Sequence, residues 1–543
     1  MKSSLTPSCT PSARLCLYVL FALFALAGVA WTQVQLVQIS SDPYTNTNTF
    51  HATEVEPDTF AFGNTIVATF QVGRGPAGGA SDTGWATSTD GGRTWTHGFL
   101  PGITKADNPA NPYDLANDPG VGYDAKHGVW LIITMPWDYA TQAGSHGGED
   151  GKPPRPPVPI PAAIISRSSD GINWEDPISI GPNVKDSDKP WVVCDNTPTS
   201  PFYGHCYAEW DVPTSSGRIQ MSTSTDGGLT WGPVLSTGDQ ADGVGPQPLV
   251  QPNGTVIAPT LTFIQDQMLA YQSTDGGNSW SSTVLISPVT QHHAGGNFRT
   301  SAMPSAEMDR QGRVYNVWQD CRFRTNCTSN DLVMSTSIDG INWTTVRRIP
   351  LDPVTSTVDH FIPGLAVDRK TSGQTAHLAL TYYYFPQADC TADTCQLYCA
   401  FSESRDGGNT WSRPITLAGP MTLSWMPIKS GRPMVADYIS TSWVNGKAFA
   451  ALIVAQPKNG STLNVATYTT ARGMSAPKDG PWYSSDGDKP VFNPTSDYYP
   501  TGQGDDDDAE DISDMFTVLP DLDFRTLGDF GVQADEPEGL EAN

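Results

Sequence analysis

Residues that could bind an anion or transfer a proton are concentrated in residues 298–322 of this 543-residue chain. The segment contains Arg299, Glu307 and Arg322. A guanidinium group binds a carboxylate through two parallel hydrogen bonds, and a carboxyl group can act as a general acid or base. The segment is therefore a candidate site for an acidic ligand, provided that the fold holds these side chains near one another.

Aspartate also recurs in a second pattern, which indicates the framework of the chain. Six segments have Ser-x-Asp-Gly near their start and Trp at their end: residues 88–95, 168–174, 224–231, 273–280, 337–343 and 404–411. We call them the Asp-Gly turns, because Asp-Gly supplies the positive φ angles of a tight hairpin and the carboxylate can accept nearby backbone N–H groups. Six equivalent carboxylates cannot all form one active site, so we interpret them as structural.

The spacing of the Asp-Gly turns predicts the fold. Their aspartates are from 49 residues (Asp226 to Asp275) to 80 residues (Asp90 to Asp170) apart, the length of a four-stranded sheet with its loops. Such a sheet buries both faces only between neighbours, so we predict an all-β chain with little helix, in which the sheets are the blades of a β-propeller over residues 34–480.

The last strands of the repeat region predict how the ring closes. Three strand-like segments without an Asp-Gly turn follow the sixth turn: residues 435–440, 447–455 and 463–469. The N-terminal segment 34–39 alternates as a strand does and could be their fourth member. This pairing predicts seven blades, and six is the alternative if these strands only complete the first blade.

The two ends of the chain differ from this framework. An apolar run follows Lys2 and Arg14 and ends in small residues near Ala30, which is the order of a secretory signal peptide over residues 1–30. A retained membrane anchor is the alternative. Residues 486–541 contain 17 acidic and two basic residues, so we predict that residues 481–543 are a disordered acidic tail rather than a calcium site.

Charge and cysteine content narrow the class of partner. The tail carries −15 of the net charge of −26, which leaves about −11 for the propeller and argues against nucleic acid and anionic membrane surfaces. Seven cysteines follow the signal segment: Cys194, Cys206, Cys321, Cys327, Cys390, Cys395 and Cys399. The first four are spaced to form two disulfides in an oxidising compartment, and the last three leave one odd thiol. No paired CxxC motifs support a zinc site, so we expect no metal and no cofactor.

The Asp-Gly turns resemble the Asp-box, or BNR repeat, of sialidases (neuraminidases) and related secreted β-propellers, over about residues 50–470. This resemblance implies a secreted glycoside hydrolase of the exo-α-sialidase type. In that family three arginines hold the substrate carboxylate, a tyrosine paired with a glutamate is the nucleophile, and an aspartate is the general acid/base. A neutral tyrosine suits an anionic substrate better than a carboxylate nucleophile would.

By the same resemblance, six positions correspond to functional residues: catalytic Asp82, Glu307 and Tyr438, and substrate-binding Arg299, Arg322 and Arg432. The aspartate precedes the first Asp-Gly turn and the tyrosine follows the last, as in the family. The chain departs from the family pattern in two places. His51-Ala-Thr stands where Phe-Arg-Ile-Pro is expected, and no arginine stands just ahead of the sixth turn.

A second interpretation is a non-catalytic secreted propeller whose central face binds a glycan or protein ligand. Trp137, Trp191 and Trp318 could stack on a sugar in either case. Under both interpretations we expect a monomer whose partner is a glycan or glycoconjugate. We expect no nucleic-acid partner, and no membrane partner after signal cleavage.

Overall fold

The computed structural model describes residues 34–138, 159–183, 187–476 and 482–484. All the strands described below belong to one compact unit, which begins at Leu36. The predicted signal peptide lies outside the described residues, and so does the predicted acidic tail apart from residues 482–484.

The first part of this unit forms one large antiparallel sheet. Eight strands follow β1 (Leu36–Gln38): β2 (Glu54–Phe62), β3 (Thr65–Arg74), β4 (Ala80–Ser88), β5 (Thr96–Phe99), β6 (Leu115–Asp124), β7 (Val129–Trp137), β8 (Pro161–Ser168) and β9 (Ile178–Asn183). They pair in the order β2-β3-β4-β6-β7-β8-β9, with β5 on β4. A single bridge, Ala80↔Ala116, joins β4 to β6 and merges two four-stranded groups.

Three smaller sheets come next in the chain. Their strands are β10 (Asp188–Cys194), β11 (Cys206–Val212) and β12 (Arg218–Ser224); β13 (Leu249–Val250), β14 (Val256–Leu261), β15 (Gln267–Ser273) and β16 (Val284–Pro288); and β17 (Ser305–Met308), β18 (Val314–Asp320), β19 (Asp331–Ser337) and β20 (Arg347–Arg348). Within each sheet every strand pairs with the next along the chain.

The last strands form two more small sheets and two short pairs. They are β21 (Asp359–Val367), β22 (Leu378–Phe385), β23 (Gln396–Ser404), β24 (Thr410–Ser412), β25 (Ile415–Thr422), β26 (Ile428–Lys429), β27 (Arg432–Pro433), β28 (Ser440–Val444), β29 (Lys447–Ala455), β30 (Val465–Thr470) and β31 (Trp482–Ser484). One sheet has the order β21-β22-β23-β25 and the other β1-β30-β29-β28, while β24 pairs with β31 and β26 with β27.

The all-β class is confirmed, and the small sheets have a propeller-like arrangement. The predicted count of separate blades is wrong: the described strands form five small sheets of three or four strands and one eight-stranded sheet, because β4 and β6 are bridged. The closing sheet also differs from the prediction. Its N-terminal strand is only Leu36–Gln38, paired with β30, and its far edge is Ser440–Val444 instead of residues 435–440.

Helical structure in the described part of the chain is limited to short 3-10 turns. They are Pro213–Ser215, Gly295–Asn297, Thr325–Cys327, Gly373–Thr375 and Leu423–Trp425. A membrane-spanning helix, which would have to be long and apolar, does not occur among the described residues.

The Asp-Gly turns are closed by their own side chains. In all six, the serine hydroxyl donates to the aspartate at 2.9–3.0 Å. In the turn at 337–343, Asp339 also accepts the backbone N–H of Asn342 at 2.8 Å and its side-chain amide at 2.8 Å. Partial burial opposes ionisation, yet these donors lower the pKa of Asp339 to about 2. The carboxylates are thus occupied within their turns.

The glycines of these turns make the contact between neighbouring sheets. A Cβ at Gly277 would overlap Thr223 of the preceding sheet, and one at Gly408 would overlap Met334. A Cβ at Gly92 of the first turn would overlap Phe449 on β29 of the closing sheet. Each of these three glycines has a positive φ, so the position demands glycine both for its conformation and for the close approach.

Disulfides lie where the spacing predicts them. Cys194 pairs with Cys206 and Cys321 with Cys327, which confirms both expected bridges. The third bridge joins Cys390 to Cys395, and Cys399 is the odd thiol, buried in β23. Two of the bridges close loops of five or six residues, so they brace local segments rather than distant parts of the fold.

Removing one turn carboxylate should destabilise the fold at neutral pH. We expect Asp339→Ala to lower the free energy of unfolding by about 1–2 kcal/mol, the usual cost of removing a side-chain cap from backbone N–H groups. Because the folded pKa is depressed to about 2, this loss should be complete above pH 4 and should shrink as pH falls toward 2. Urea unfolding at several pH values measures it. The control is Ile341→Ala, an exposed residue of the same turn; equal stability of the two variants at pH 7 would contradict the prediction.

Candidate functional site at the first strands of the sheets

Seven strands face one another around a small cavity, and we call them the first strands: β2, β6, β10, β13, β17, β21 and β28. The cavity has a volume of about 40 Å³, and its lining includes one residue from each of these strands: Phe60, Val121, Val192, Leu249, Ala306, Leu365 and Ser440. A volume of this size holds a few water molecules but is far below the roughly 300 Å³ or more of a ligand pocket. The cavity itself is therefore too small to hold a sugar.

A bulge recurs near the start of four of these strands. In each, the ladder register shifts by one residue at a proline that cannot donate a hydrogen bond. The residue before the proline has a positive φ: Glu56 (52°), Asp118 (44°), Lys189 (47°) and Ile362 (51°). This conformation is strained for residues other than glycine and is found mainly where the surrounding structure requires it.

Three of the bulges bring charged side chains together around Lys189. Its ammonium group lies 3.0 Å from Asp437 Oδ2, 3.1 Å from Asp118 Oδ1 and 3.8 Å from Glu56 Oε1. The Lys189 side chain is only 7% exposed, so these ion pairs are shielded from water. We call Glu56, Asp118, Lys189, Asp437 and Arg299 the hub cluster.

A second layer holds the carboxylates of the hub cluster in place. Arg74 donates to Asn117 Oδ1 at 2.9 Å and to Gln71 Oε1 at 2.6 Å, and its guanidinium lies 3.7 Å from Glu56. The Gln71 amide donates to both Glu56 and Asp118. All these side chains are buried, so the acidic residues have fixed orientations.

Burial and the neighbouring cations shift the pKa values of the acidic residues in different directions. Burial raises the pKa of Glu56 to about 8 and that of Asp118 to about 6, with Lys189 opposing the rise in both. Although burial acts the same way on Asp437, Arg299 and Lys189 hold its pKa well below the usual range. The same carboxylates keep the pKa of Lys189 well above its usual value in spite of burial. Asp437 is thus held ionised, whereas burial shifts Glu56 and Asp118 toward their protonated forms.

The Asp437 carboxylate connects the hub cluster to a pair of arginines. Arg299 binds it through two hydrogen bonds, one from Nε at 2.6 Å and one from Nη2. Arg432 donates to the carbonyl oxygen of Phe298 at 3.1 Å, and Arg299 N donates to that of Pro433 at 2.9 Å. These bonds hold the two arginines side by side. We call Arg299 and Arg432 the arginine pair.

The arginine pair has more positive charge than its neighbours neutralise. Burial and the charge of Arg299 lower the pKa of Arg432. The Arg432 Nε is buried and has no acceptor among the described residues, and the Arg299 side chain is 18% exposed. Arg299 thus binds the Asp437 carboxylate, while Arg432 donates to an uncharged carbonyl oxygen beside it. Two guanidinium groups this close, with solvent access at Arg299, have the chemistry of an anion site.

Tyr438 directly follows Asp437, the residue that binds Arg299, and its ring lies 5.9 Å from the Lys189 ammonium group. The tyrosine is buried, its hydroxyl donates to the carbonyl oxygen of Pro119 at 3.2 Å, and its ring packs edge-on against Trp191 with centroids 5.4 Å apart. A cavity of about 10 Å³ separates it from Met303 and Gln247. The space next to Tyr438 is therefore far too small for a sugar.

The structure gives the other three predicted residues different partners. Glu307 pairs with Arg369 at 3.3 Å near the end of β17, and both residues line the small cavity. Arg322 binds Asp320, the Ser287 hydroxyl and the carbonyl oxygen of Pro288. Buried Asp82 accepts a hydrogen bond from Tyr44, and its pKa is raised to about 8 by burial. Their proposed catalytic or binding roles stay predictions.

Sequence reasoning did not identify Glu56, Asp118 and Lys189 as site residues. A signal was present, because each immediately precedes a proline at the start of a repeat: 56–57, 118–119 and 189–190. The same X-Pro step recurs at 247–248, 303–304 and 362–363 with uncharged residues. The three X-Pro steps with a charged residue thus belong to the three strands that contribute Glu56, Asp118 and Lys189 to the hub cluster.

Two other groups of possible metal ligands occur among the described residues, and neither fits a cation. Asp124 adjoins Cys194 and Cys206, whose sulfurs are joined in a disulfide. The second group is Asp331, Asp352 and His360, in which both aspartates pair with Arg324 and Arg348. These donors already have partners, so neither group is taken further.

Comparison with known proteins finds similarity to solved structures only. No family model matches the chain, and no curated protein matches it. A protein of unknown function from Dyadobacter fermentans is 14% identical over 69% of this chain and 100% of that one, with a TM-score of 0.42. An ulvan lyase from a new polysaccharide lyase family is 13% identical over 81% and 96%, with a TM-score of 0.44. A Hadza microbial sialidase is 15% identical over 78% and 66%, with a TM-score of 0.39.

Replacing the central lysine should unfold the hub. Lys189→Met leaves buried carboxylates without their cation, so we expect the free energy of unfolding to fall by about 3–5 kcal/mol at pH 8. Glu56 and Asp118, whose folded pKa values are already raised to about 8 and about 6, would take up protons as pH falls. The folded variant then binds more protons than its unfolded state. The difference in free energy of unfolding between the parent chain and Lys189→Met should therefore become smaller between pH 8 and pH 5.

Denaturant unfolding of Lys189→Met beside Lys458→Met, an exposed lysine, measures this deficit. The exposed variant should stay within about 0.5 kcal/mol of the parent chain. A Lys189→Met protein as stable as that control would show that the hub tolerates an apolar centre.

Proposed function

We propose that this chain is a secreted, carbohydrate-active protein that recognises an acidic sugar through the arginine pair. The observation that supports it is the position of Arg432 beside Arg299: Arg299 binds the Asp437 carboxylate, whereas Arg432 donates to a backbone carbonyl oxygen and has one buried N–H with no acceptor among the described residues. A sugar carboxylate would supply that acceptor and balance the second charge. Three disulfides favour an oxidising compartment and hence secretion.

Hydrolysis of an α-ketoside of sialic acid is the specific activity that we propose for this site. The observation that favours it is the position of Tyr438 next to Asp437, which binds Arg299. A ligand carboxylate on the arginine pair would place the neighbouring anomeric carbon toward this phenol. The sequence resemblance assigns Tyr438 as nucleophile with Glu307, and Asp82 as acid; these roles are part of the same proposal.

Binding is tested by calorimetric titration with N-acetylneuraminic acid and with its methyl ester, which has no carboxylate. We expect the acid to bind and the ester to bind at least about tenfold more weakly, because a charge-assisted hydrogen bond contributes roughly 1.5–3 kcal/mol and 1.4 kcal/mol is a factor of ten. Arg432→Met should cause a similar loss. The matched control is Arg310→Met, an exposed arginine just after the end of β17. Equal affinity for acid and ester would overturn the proposal.

Hydrolysis is tested separately, by release of a fluorescent phenol from its α-ketoside of sialic acid. The parent chain should release phenol, and Tyr438→Phe should release none above background. Glu307→Gln, Asp82→Asn and Arg322→Ala in the same assay test the roles predicted for those residues. If the parent chain binds the acid but releases no phenol, the protein is a non-catalytic glycan-binding propeller.

A further inference from the structure

Arg432 lies on a short hairpin that is separate from the blade sheets. Its strands, β26 and β27, pair with each other in two register positions and with no other strand in the described part of the chain. The turn residues Ser430 and Gly431 have φ angles of 49° and 77°, and two successive positive φ angles are typical of a tight hairpin. We call residues 427–434 the Arg432 hairpin.

The base of the Arg432 hairpin is fixed in the interior. Met434 N donates to the carbonyl oxygen of Pro427 at 3.1 Å, which joins the two ends of the hairpin. Both residues are buried, and so is Met426 directly before them. The turn residues Ser430 and Gly431, by contrast, are exposed. The hairpin therefore projects from a base that is packed in the core.

The tip of the hairpin contacts an exposed loop. Ser430 N donates to the carbonyl oxygen of Pro76 at 3.2 Å, and the Lys429 ammonium group donates to that of Ala77. Because Ser430, Pro76 and Ala77 are all exposed, water can replace these bonds at a small net cost. A two-stranded hairpin is itself only marginally stable in water, so the tip is easier to detach than the base.

The Arg432 hairpin lies against the other member of the arginine pair. Pro433 accepts a hydrogen bond from Arg299 N at 2.9 Å, and Arg432 donates to the carbonyl oxygen of Phe298 at 3.1 Å. In this position the Arg432 Nε is buried. The cavities next to Tyr438 and between the first strands hold about 10 and 40 Å³, against roughly 300 Å³ or more for a ligand pocket. Part of the fold must therefore move before a sugar carboxylate can reach this N–H.

We infer that the Arg432 hairpin is a lid, which pivots at its base to admit an acidic sugar and then closes on it. This inference rests on the proposed function and adds how access to the site is controlled. Opening detaches the tip from residues 75–79 and brings the Arg432 Nε into solvent. Arg299 stays in place, because the Asp437 carboxylate binds it through two hydrogen bonds. Closing returns Arg432 to its side, with the sugar carboxylate as acceptor.

Opening is measured first in the ligand-free protein, by amide hydrogen exchange with residue resolution. Ser430 N–H at the tip and Met434 N–H at the base each donate one backbone hydrogen bond. We expect the Ser430 amide to exchange at least about tenfold faster than the Met434 amide, because a pivoting lid exposes only its tip. Equally slow exchange at both positions would overturn the lid, whether or not a sugar binds.

A crosslink tests whether the lid must open for binding. In the variant Ala77→Cys with Ser430→Cys, a short bis-maleimide joins the tip to its loop, and mass spectrometry of the peptides confirms the link. The matched control is the same variant with each cysteine capped by N-ethylmaleimide. By calorimetric titration with N-acetylneuraminic acid, we expect the crosslinked protein to bind at least about tenfold more weakly than the capped one, because its binding-competent state is depleted.

Removing one tip contact should favour the open lid. We expect Lys429→Met to bind N-acetylneuraminic acid about 2- to 10-fold faster than the parent chain in stopped-flow fluorescence, because a larger fraction of the protein is open. Loss of a positive charge near an anion site would by itself slow association, so an unchanged or slower rate contradicts the lid. Lys370→Met, which replaces an exposed lysine, is the control and should bind at the rate of the parent.

The outcomes separate this inference from the proposed function. If the crosslinked and the capped proteins bind the acid equally well, the ligand reaches the arginines past a closed hairpin. That result overturns the lid and leaves recognition of the acidic sugar intact. If neither the parent chain nor the capped variant binds the acid, the proposed function fails, and the lid fails with it as the means of admitting that ligand.

Discussion

The buried ion pairs of Lys189 are the interaction on which the centre of this fold depends. One ammonium group lies within 4 Å of carboxylates from two neighbouring first strands and from the segment before β28. Burying these charges is favourable only if they are paired and oriented. The bulges at Glu56, Asp118 and Lys189 provide that orientation, since a regular strand would point alternate side chains toward the flanking sheets.

The arginine pair is coupled to this centre through Asp437. Because Lys189 and Arg299 share that carboxylate, the position of the arginine pair depends on the packing of the first strands. The segment that carries Arg299 is held by Gly296 against the carbonyl oxygen of Cys390, in the loop closed by a disulfide. A rigid hub and a braced loop together hold two like charges close to each other, an arrangement that flexible side chains would avoid in water.

The structure explains why some of the predicted site residues lie close together and others do not. Arg299 and Arg432 lie side by side because residues 299 and 433 share a backbone hydrogen bond, and Tyr438 follows the Asp437 carboxylate that binds Arg299. Glu307 lies near the end of a first strand and pairs with Arg369. A spacing along the chain places two residues on adjacent strands, but it does not tell which end of the strand faces the site. That choice depends on register, which shifts by one residue at each bulge.

Local sequence determined the turns, the disulfides Cys194–Cys206 and Cys321–Cys327, and the all-β class, because each depends on residues close together in the chain. The Ser and Asp of an Asp-Gly turn are two residues apart and bond to each other in all six copies. The merged eight-stranded sheet, the hub cluster and the arginine pair required the tertiary structure. They join residues such as Lys189 and Asp437 or Arg299 and Asp437, far apart in the chain, whose ionisation is set by burial and by one another's charge. No local pattern encodes a protonation state that arises only when distant strands exclude water.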